Sequence, residues 1–195
     1  MDIHPLTPER LDDLARLFDT NGVTRGCWCT FFLLTNREFS TGWGAANRAR
    51  FEAYTRDATV PPGLLAYRNG EAYRNGEPVG WCATGPRARF GRSLRSPLLR
   101  GRDPAEDDVV WLVPCLFVRR DARHEGVAAG LVEAAVRLAH EHGATAVEAV
   151  PLVGGQRHPT SEAYVGTEAM FAGCGFAVRA RPSPRRLVMR RDLTS

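Results

Sequence analysis

Residues 109–140, VVWLVPCLFVRRDARHEGVAAGLVEAAVRLAH, constrain this chain more than any other stretch, because they pass from an apolar strand through a short polar turn into an amphipathic helix. The strand ends at Arg119-Arg120, and Arg123-His124-Glu125-Gly126-Val127-Ala128 opens the helix. A helix start leaves N–H groups without intrahelical acceptors and carries a partial positive charge. Gly126 and Ala128 keep bulky side chains away from it, so an anion can approach the backbone. A diphosphate suits that geometry. The stretch is neither a dinucleotide fingerprint nor a P-loop, since it has neither the triple-glycine pattern nor Gly-Lys-Ser/Thr.

A chain of 195 residues is long enough for one domain with a real core. No run is as long as a membrane span, and the opening Met1-Asp2-Ile3-His4-Pro5 lacks the basic and apolar regions of a secretory signal, so the expected location is cytoplasmic. All 26 basic residues are Arg, which leaves no lysine to act as Schiff base, nucleophile or internal acetyl acceptor. A net charge of +4 fits anionic small ligands and does not argue for nucleic acid. The five cysteines, Cys27, Cys29, Cys82, Cys115 and Cys174, are odd in number and lack metal-ligand spacing, so reduced thiols are expected and no metal site.

Along the chain, Thr7-Pro8-Glu9-Arg10 reads as a helix start, with Thr7 as N-cap and Leu11, Leu14, Leu17 and Phe18 on one face. A second helix is predicted over 43–56. Between them, residues 26–34 are apolar and aromatic where connections are usually polar, and are either core or the wall of a pocket. The six residues AYRNGE at 66–71 recur unchanged at 72–77, and the two Asn-Gly pairs compete for the turn of a hairpin built from strands near 63–67 and 78–83. Residues 85–108, rich in Arg, Gly and Pro, read as a long irregular solvated connection. A strand over 146–151, a short helix closing at Gly173-Cys174-Gly175-Phe176, and two strands around Pro182-Ser183-Pro184 complete the chain. The strand, crossover helix and strand imply a parallel pair.

The spacing Arg123-x-x-Gly126-x-Ala128, directly after the strand Cys115-Leu116-Phe117-Val118, resembles the acetyl-CoA signature of the GNAT superfamily of acyl-CoA-dependent N-acyltransferases. The order of elements resembles that family's core over nearly the whole chain, and residues 170–176 resemble its late helix ending in Gly-Phe. More narrowly, the Cys27-Trp28-Cys29 segment, Gly80-Trp81-Cys82, Tyr164-x-Gly166 and Arg185-Arg186-x-x-Met189 resemble a branch common in bacterial, especially actinobacterial, genomes. The resemblance implies an α/β fold, one domain over 1–195, with a mixed central sheet of about six to seven strands splayed between strands 4 and 5 and about four flanking helices.

The implied donor is acetyl-CoA. By the family's pattern Leu116, Phe117 and Val118 meet the pantetheine arm, with backbone groups of Leu116 and Val118 offered to it. The amides of His124, Glu125, Gly126, Val127 and Ala128 hold the pyrophosphate, and Arg123, with Arg119 or Arg120, adds charge-assisted contacts. Pro114 cannot donate to a sheet ladder and is expected to mark the bulge from which the family's central strand splays. Two positions depart from the pattern. Glu125 puts an acid beside the diphosphate, and Phe171 stands where many members carry the Tyr that protonates the leaving thiolate.

Acetyl transfer to an amine needs a base, an oxyanion donor and an acid near the sulfur. The family's pattern implies Val118 N–H as the oxyanion donor. Glu148, an acid in an otherwise apolar strand, is a candidate base, set against a strand residue that merely faces a partner. Tyr164, just before the helix carrying Phe171, is the candidate acid. Cys115 reads as a small buried apolar group rather than an acyl carrier. Cys27, Trp28, Cys29, Phe32 and Trp81 are the candidate acceptor pocket. The expected activity is direct N-acetylation of a small-molecule primary amine (metabolite, antibiotic or other xenobiotic), with a homodimer as the expected assembly and neither nucleic acid nor membrane as partner. The alternative is a noncatalytic acyl-CoA sensor or interaction protein, suggested by Phe171. Acetylation of protein N-termini would need a groove for extended peptide, which the bulky N-terminal aromatics do not suggest.

Overall fold

The apolar run after Val109 forms a nine-residue strand at the centre of a seven-stranded sheet in the computed structural model, which describes residues 1–68, 76–154 and 164–193. In chain order the described residues form β1 (Asp2–Pro5), α1 (Leu11–Asp19), α2 (Gly22–Cys27), α3 (Asn36–Thr41), α4 (Ala45–Asp57), β2 (Gly63–Arg68) and β3 (Glu77–Pro86). There follow α5 (Gly91–Leu94), β4 (Val110–Val118), α6 (Val127–Glu141), β5 (Ala146–Ala149), α7 (Glu168–Gly173), β6 (Ala177–Ser183) and β7 (Arg186–Asp192). The sheet runs β1-β2-β3-β4-β5-β7-β6 and is antiparallel throughout except between β4 and β5, where α6 makes the crossover that a parallel pair requires. The expected α/β architecture with a mixed open sheet is therefore present. No helix among the described residues is long and apolar enough to cross a membrane.

Two apolar layers cover the sheet. On one face α6 buries Val127, Leu131, Val132, Ala135, Val136 and Ala139 against Leu64, Cys82, Trp111 and Val113. On the other, Leu14, Leu17 and Phe18 of α1 pack with Trp28, Phe51, Leu65, Tyr67, Trp81 and Phe117. Each layer follows from sequence periodicity, near 3.6 along the helices and two along the strands.

Several expectations need correction. Among the described residues seven α-helices stand where about four were expected, because α2, α3 and α5 span only six, six and four residues, too short for a helical period to register. Thr7 precedes a 3-10 turn, Pro8–Arg10, that leads into α1, but its side chain caps nothing and its Oγ1 is buried without a partner. Pro8 fixes the turn's first φ without help from the hydroxyl. Residues 85–108 are not a solvated loop. They carry α5 and the 3-10 turns Arg87–Arg89, Pro97–Leu99 and Pro104–Glu106, and the Arg87 side chain is wholly buried. In the AYRNGE repeat, Asn69, Gly70 and Asn75 lie outside the described residues.

The helix α6 sits close on β3 because Gly80 has no side chain. A Cβ there would stand 2.7 Å from Val127 Cγ1 and 2.9 Å from Leu131 Cδ1. Gly80→Ala is therefore expected to push α6 outward and cost about 1–3 kcal/mol, the usual penalty for overpacking. Urea denaturation of the purified protein measures it.

Candidate active site

The site begins with an irregularity in β4. Val110 to Val113 pair in register with Ala146 to Ala149 of β5, and there the pairing stops, although β4 runs on to Val118 beside β3. On the β3 side, Leu112 faces Gly85 and Cys115 faces Ala83, so β4 spends three residues where β3 spends two. The extra residue falls at Val113-Pro114, as a proline without an N–H favours. The bulge also exchanges the faces of the strand. Trp111 and Val113 lie under α6, but beyond the bulge Leu116 takes that side, while Cys115 and Phe117 turn to the opposite face.

The backbone of 116–118 faces the opening in a definite way. Arg119 N–H donates to Val79 C=O at 2.9 Å, so in the alternation of an antiparallel ladder Leu116 and Val118 turn their N–H and C=O to the edge away from β3. That edge has no strand partner beyond Val113 among the described residues. Arg123 Nε already reaches Val118 C=O at 3.3 Å. Phe117 contributes its side chain to the cavity rather than its backbone to this edge.

After β4 a 3-10 turn, Arg120–Ala122, leads to His124 and Gly126, both left-handed with φ of 66° and 78°. Gly126 is the N-cap of α6, and a Cβ there would meet nothing within 4 Å, so its conformation, not space, favours glycine. The first-turn amides of Val127 and Ala128 have no carbonyl one turn earlier to bond, and residues 123 to 126 beside them are exposed. Glu125 is drawn away by Arg68, 3.3 Å distant, which answers the repulsion expected of an acid here. Arg119 is neutralised by Glu77 at 2.5 Å and Asp121 at 2.6 Å, leaving Arg120 and Arg123 as the guanidiniums better able to meet an anion.

A cavity of about 470 Å³ opens on the face to which the bulge turns Cys115 and Phe117. Its walls come from α1, α2, the segment up to Trp43, β3, β4, residues 92–99 and the Tyr164 segment, and eight aromatic side chains line it. Phe32, Phe31, Phe39 and Trp43, in that order, form an edge-to-face chain with ring centroids 5.0, 5.2 and 5.6 Å apart. Cys27, Cys29, Phe32 and Trp81 line the cavity, as does Tyr164. Trp28 does not. Its left-handed backbone, φ 47°, turns the indole into the core, 5.4 Å from Phe18 and under the Arg48 guanidinium.

Three thiols meet at the base of this cavity. Trp81 Nε1 donates to Cys29 Sγ at 3.3 Å, and Cys115 is hydrogen-bonded to the same sulfur. The Cys115 bond, with that of Trp81, holds the Cys29 thiol below its ordinary pKa, whereas the same contact and burial raise Cys115 well above it. Burial, reinforced by Cys29, pushes Cys27 up to about 12. Cys115 is thus held as a thiol, a poor nucleophile. No cluster of three or more metal-ligating side chains occurs among the described residues.

Tyr164 and Glu148 fall in different surroundings. Tyr164 OH donates to Asn21 Oδ1 at 3.2 Å, an oxygen that also caps α2 by accepting from Val23 and Thr24 N–H, and the Tyr164 ring lies 6.1 Å from Phe117. Burial, then Cys115, raises the Tyr164 hydroxyl above its ordinary value. Glu148, on β5, is 4 % exposed and absent from the described cavity wall. Its carboxylate receives Arg87 Nη1 at 2.8 Å and Arg190 Nη1 at 3.4 Å, while Arg87 also binds Asp107 at 2.7 Å and the Asp103 carbonyl at 2.7 Å. With its oxygens engaged by two guanidiniums and its side chain away from the cavity, Glu148 is poorly placed to reach an amine there. Phe171 is wholly buried beside Phe176, 5.1 Å away, and does not reach the cavity.

Sequence reasoning missed Asn21, Phe39, Arg92 and Arg186 as parts of this site. Phe39 and Trp43, four residues apart, carried a usable signal in their helical spacing. Arg92 had none.

The chain matches the model of the acetyltransferase (GNAT) family over residues 28–158, and it belongs to that family, whose members are acyltransferases. No curated protein matches it in sequence. Among solved structures it is similar to a ribosomal-protein-alanine N-acetyltransferase from Brucella melitensis, at 16 % identity and TM-score 0.56 over 99 % of this chain and 100 % of that one. It is also similar to the PaiA N-acetyltransferase from Thermoplasma acidophilum in complex with coenzyme A, at 10 % identity and TM-score 0.54 over 98 % of each chain. The NatC complex bound to Gag peptide and CoA gives 14 % identity and TM-score 0.53 over 100 % of both chains. At these identities the likeness is one of fold.

The Arg87 cluster joins residues 85–108, which wall the cavity, to β5. Arg87→Met is expected to cost about 3–5 kcal/mol, because it strands the buried Glu148 and half-enclosed Asp107 without their shared cation. Urea unfolding at neutral pH checks this.

Proposed function

We propose that this protein is an acetyl-CoA-dependent N-acetyltransferase that moves an acetyl group directly to a primary amine of a small molecule. The observation that carries the proposal is the meeting, beyond the β4 bulge, of an unpaired strand edge, the open start of α6 and an aromatic cavity. The residues fit the donor. Leu116 and Val118 offer backbone groups on the free edge to the pantetheine arm. The amides of α6's first turn, over which no Cβ intrudes at Gly126, offer the pyrophosphate donors, with Arg123 and Arg120 beside them. When bound, acetyl-CoA supplies a thioester carbonyl open to attack by an amine.

The chain's own groups then divide the remaining work. Val118 N–H, facing the opening, polarises the carbonyl oxygen. Tyr164, kept protonated by its surroundings, donates its proton to the departing sulfur. The amine attacks in its neutral form; once the C–N bond has formed and the C–S bond has broken, the nitrogen's excess proton passes to solvent, and Tyr164 is reprotonated from it. Glu148 fixes the cavity wall through Arg87 rather than taking that proton. The noncatalytic reading, an acyl-CoA sensor, has in its favour only that Phe171 is sealed in the core.

Release of free CoA thiol from acetyl-CoA across a panel of amines tests the proposal. Thermal stabilisation by CoA with no thiol release for any amine would sink it in favour of the sensor. Tyr164→Phe is expected to lower kcat roughly 10²-fold with little change in the KM for acetyl-CoA. Because the hydroxyl's pKa is raised, wild-type kcat should fall only above the ordinary tyrosine value of about 10, and the variant should lack that alkaline limb. Glu148→Gln should leave the acidic limb of the kcat profile where it is.

A further inference from the structure

The cavity read as the acceptor site is lined by guanidinium groups as well as rings. Arg92 and Arg186 are the charged side chains that line it among the described residues. Arg186 Nε donates to Val150 C=O at 3.1 Å. Arg92 donates Nε to Leu34 C=O at 3.1 Å, and its guanidinium carbon lies 4.1 Å from the Phe31 ring centroid and 5.4 Å from that of Phe39. Its Nη2 is enclosed and has no hydrogen-bond partner, and no Asp or Glu among the described residues forms an ion pair with it. Burial and the nearby Arg95 both disfavour the charge it carries.

We infer that Arg92 recognises a carboxylate on the acceptor, so that the substrate class is a small amine bearing its own carboxylate and an apolar, ring-sized body. The inference rests on the reading of this cavity as the acceptor site. Three physical reasons converge on it. An enclosed guanidinium N–H without an acceptor is costly and is relieved by a ligand that brings one. A guanidinium pinned by one backbone carbonyl and stacked on aromatic rings is already oriented, and its planar fork matches a carboxylate better than any neutral group. Finally, a simple ammonium brought beside the Arg92 guanidinium would be repelled, whereas an amine tethered to a carboxylate brings its own compensation. The eight aromatic side chains leave the rest of the ligand to be apolar.

Calorimetric titration of the full chain, saturated with CoA, compares three probes of one shape: 3-phenylpropanoate, 3-phenylpropanamide and phenethylamine. The carboxylate is expected to bind at least about tenfold tighter than the amide, the scale of one charge-assisted bidentate contact. Arg92→Gln should erase that preference and Arg92→Lys should keep part of it, with CoA affinity unchanged in both. Equal binding of acid and amide, tighter binding of the ammonium probe, no binding of any probe, or a preference that survives Arg92→Gln overturns the inference. The wild-type comparison decides the matter even if a variant fails to fold. Thiol release with phenylalanine and phenethylamine as acceptors separates the two readings. Carboxylate-selective binding without thiol release removes the acetyl-transfer proposal and leaves this one standing, while transfer to phenethylamine in preference to phenylalanine does the reverse.

Discussion

One extra residue in β4 sets the geometry on which the rest of the site depends. Without the bulge at Val113-Pro114, a strand of strict alternation would keep Cys115 and Phe117 under α6 and turn Leu116 toward the opposite face. With it, the strand parts from β5 after Ala149, its free edge is exposed, and an aromatic ring and a thiol are delivered to the cavity. Proline is the natural residue here because a ladder donor is not wanted at the point where the ladder ends. The same residue that weakens the strand as a strand makes it useful as a boundary.

Charge is handled around this frame by guanidiniums in three distinct ways. Arg87 is buried and shared among acids, joining the 85–108 segment to β5. Arg119 and Arg68 are paired at the surface, and their partners Asp121 and Glu125 are thereby kept from opposing an anion at α6. Arg92 is held by a carbonyl and two rings and meets no acid among the described residues. Burial alone does not separate structural from ligand-facing arginines in this chain. The chemistry of each partner does.

Legibility in the sequence followed the range of the contacts. The β4-to-α6 unit could be read because a strand, a bulge-marking proline, a glycine cap and an amphipathic helix all lie within about thirty consecutive residues, where periodicity and cap chemistry act locally. Tyr164 was visible as a candidate, but its partner Asn21 lies 143 positions away and serves first as the cap of α2. Glu148 looked like a base because an acid in an apolar strand is conspicuous, whereas the two arginines that claim it come from segments 61 and 42 residues distant. Trp28 was grouped with its cysteine neighbours by adjacency, and a left-handed residue turned it inward instead. The run of arginines from 87 to 102 reads as solvated charge until the fold shows which of them the core encloses.

The donor-facing and acceptor-facing parts of the site are drawn from different stretches of chain. Residues 110–128 present the strand edge and helix start, while the aromatic and cationic walls come chiefly from 18–43 and 92–99. The latter segment hangs on the sheet through the side chain of Arg87, as a panel hangs on a bracket. Acceptor preference can therefore drift under selection, or be exchanged by grafting, while the donor half is left as it is, provided that each new panel keeps the same bracket.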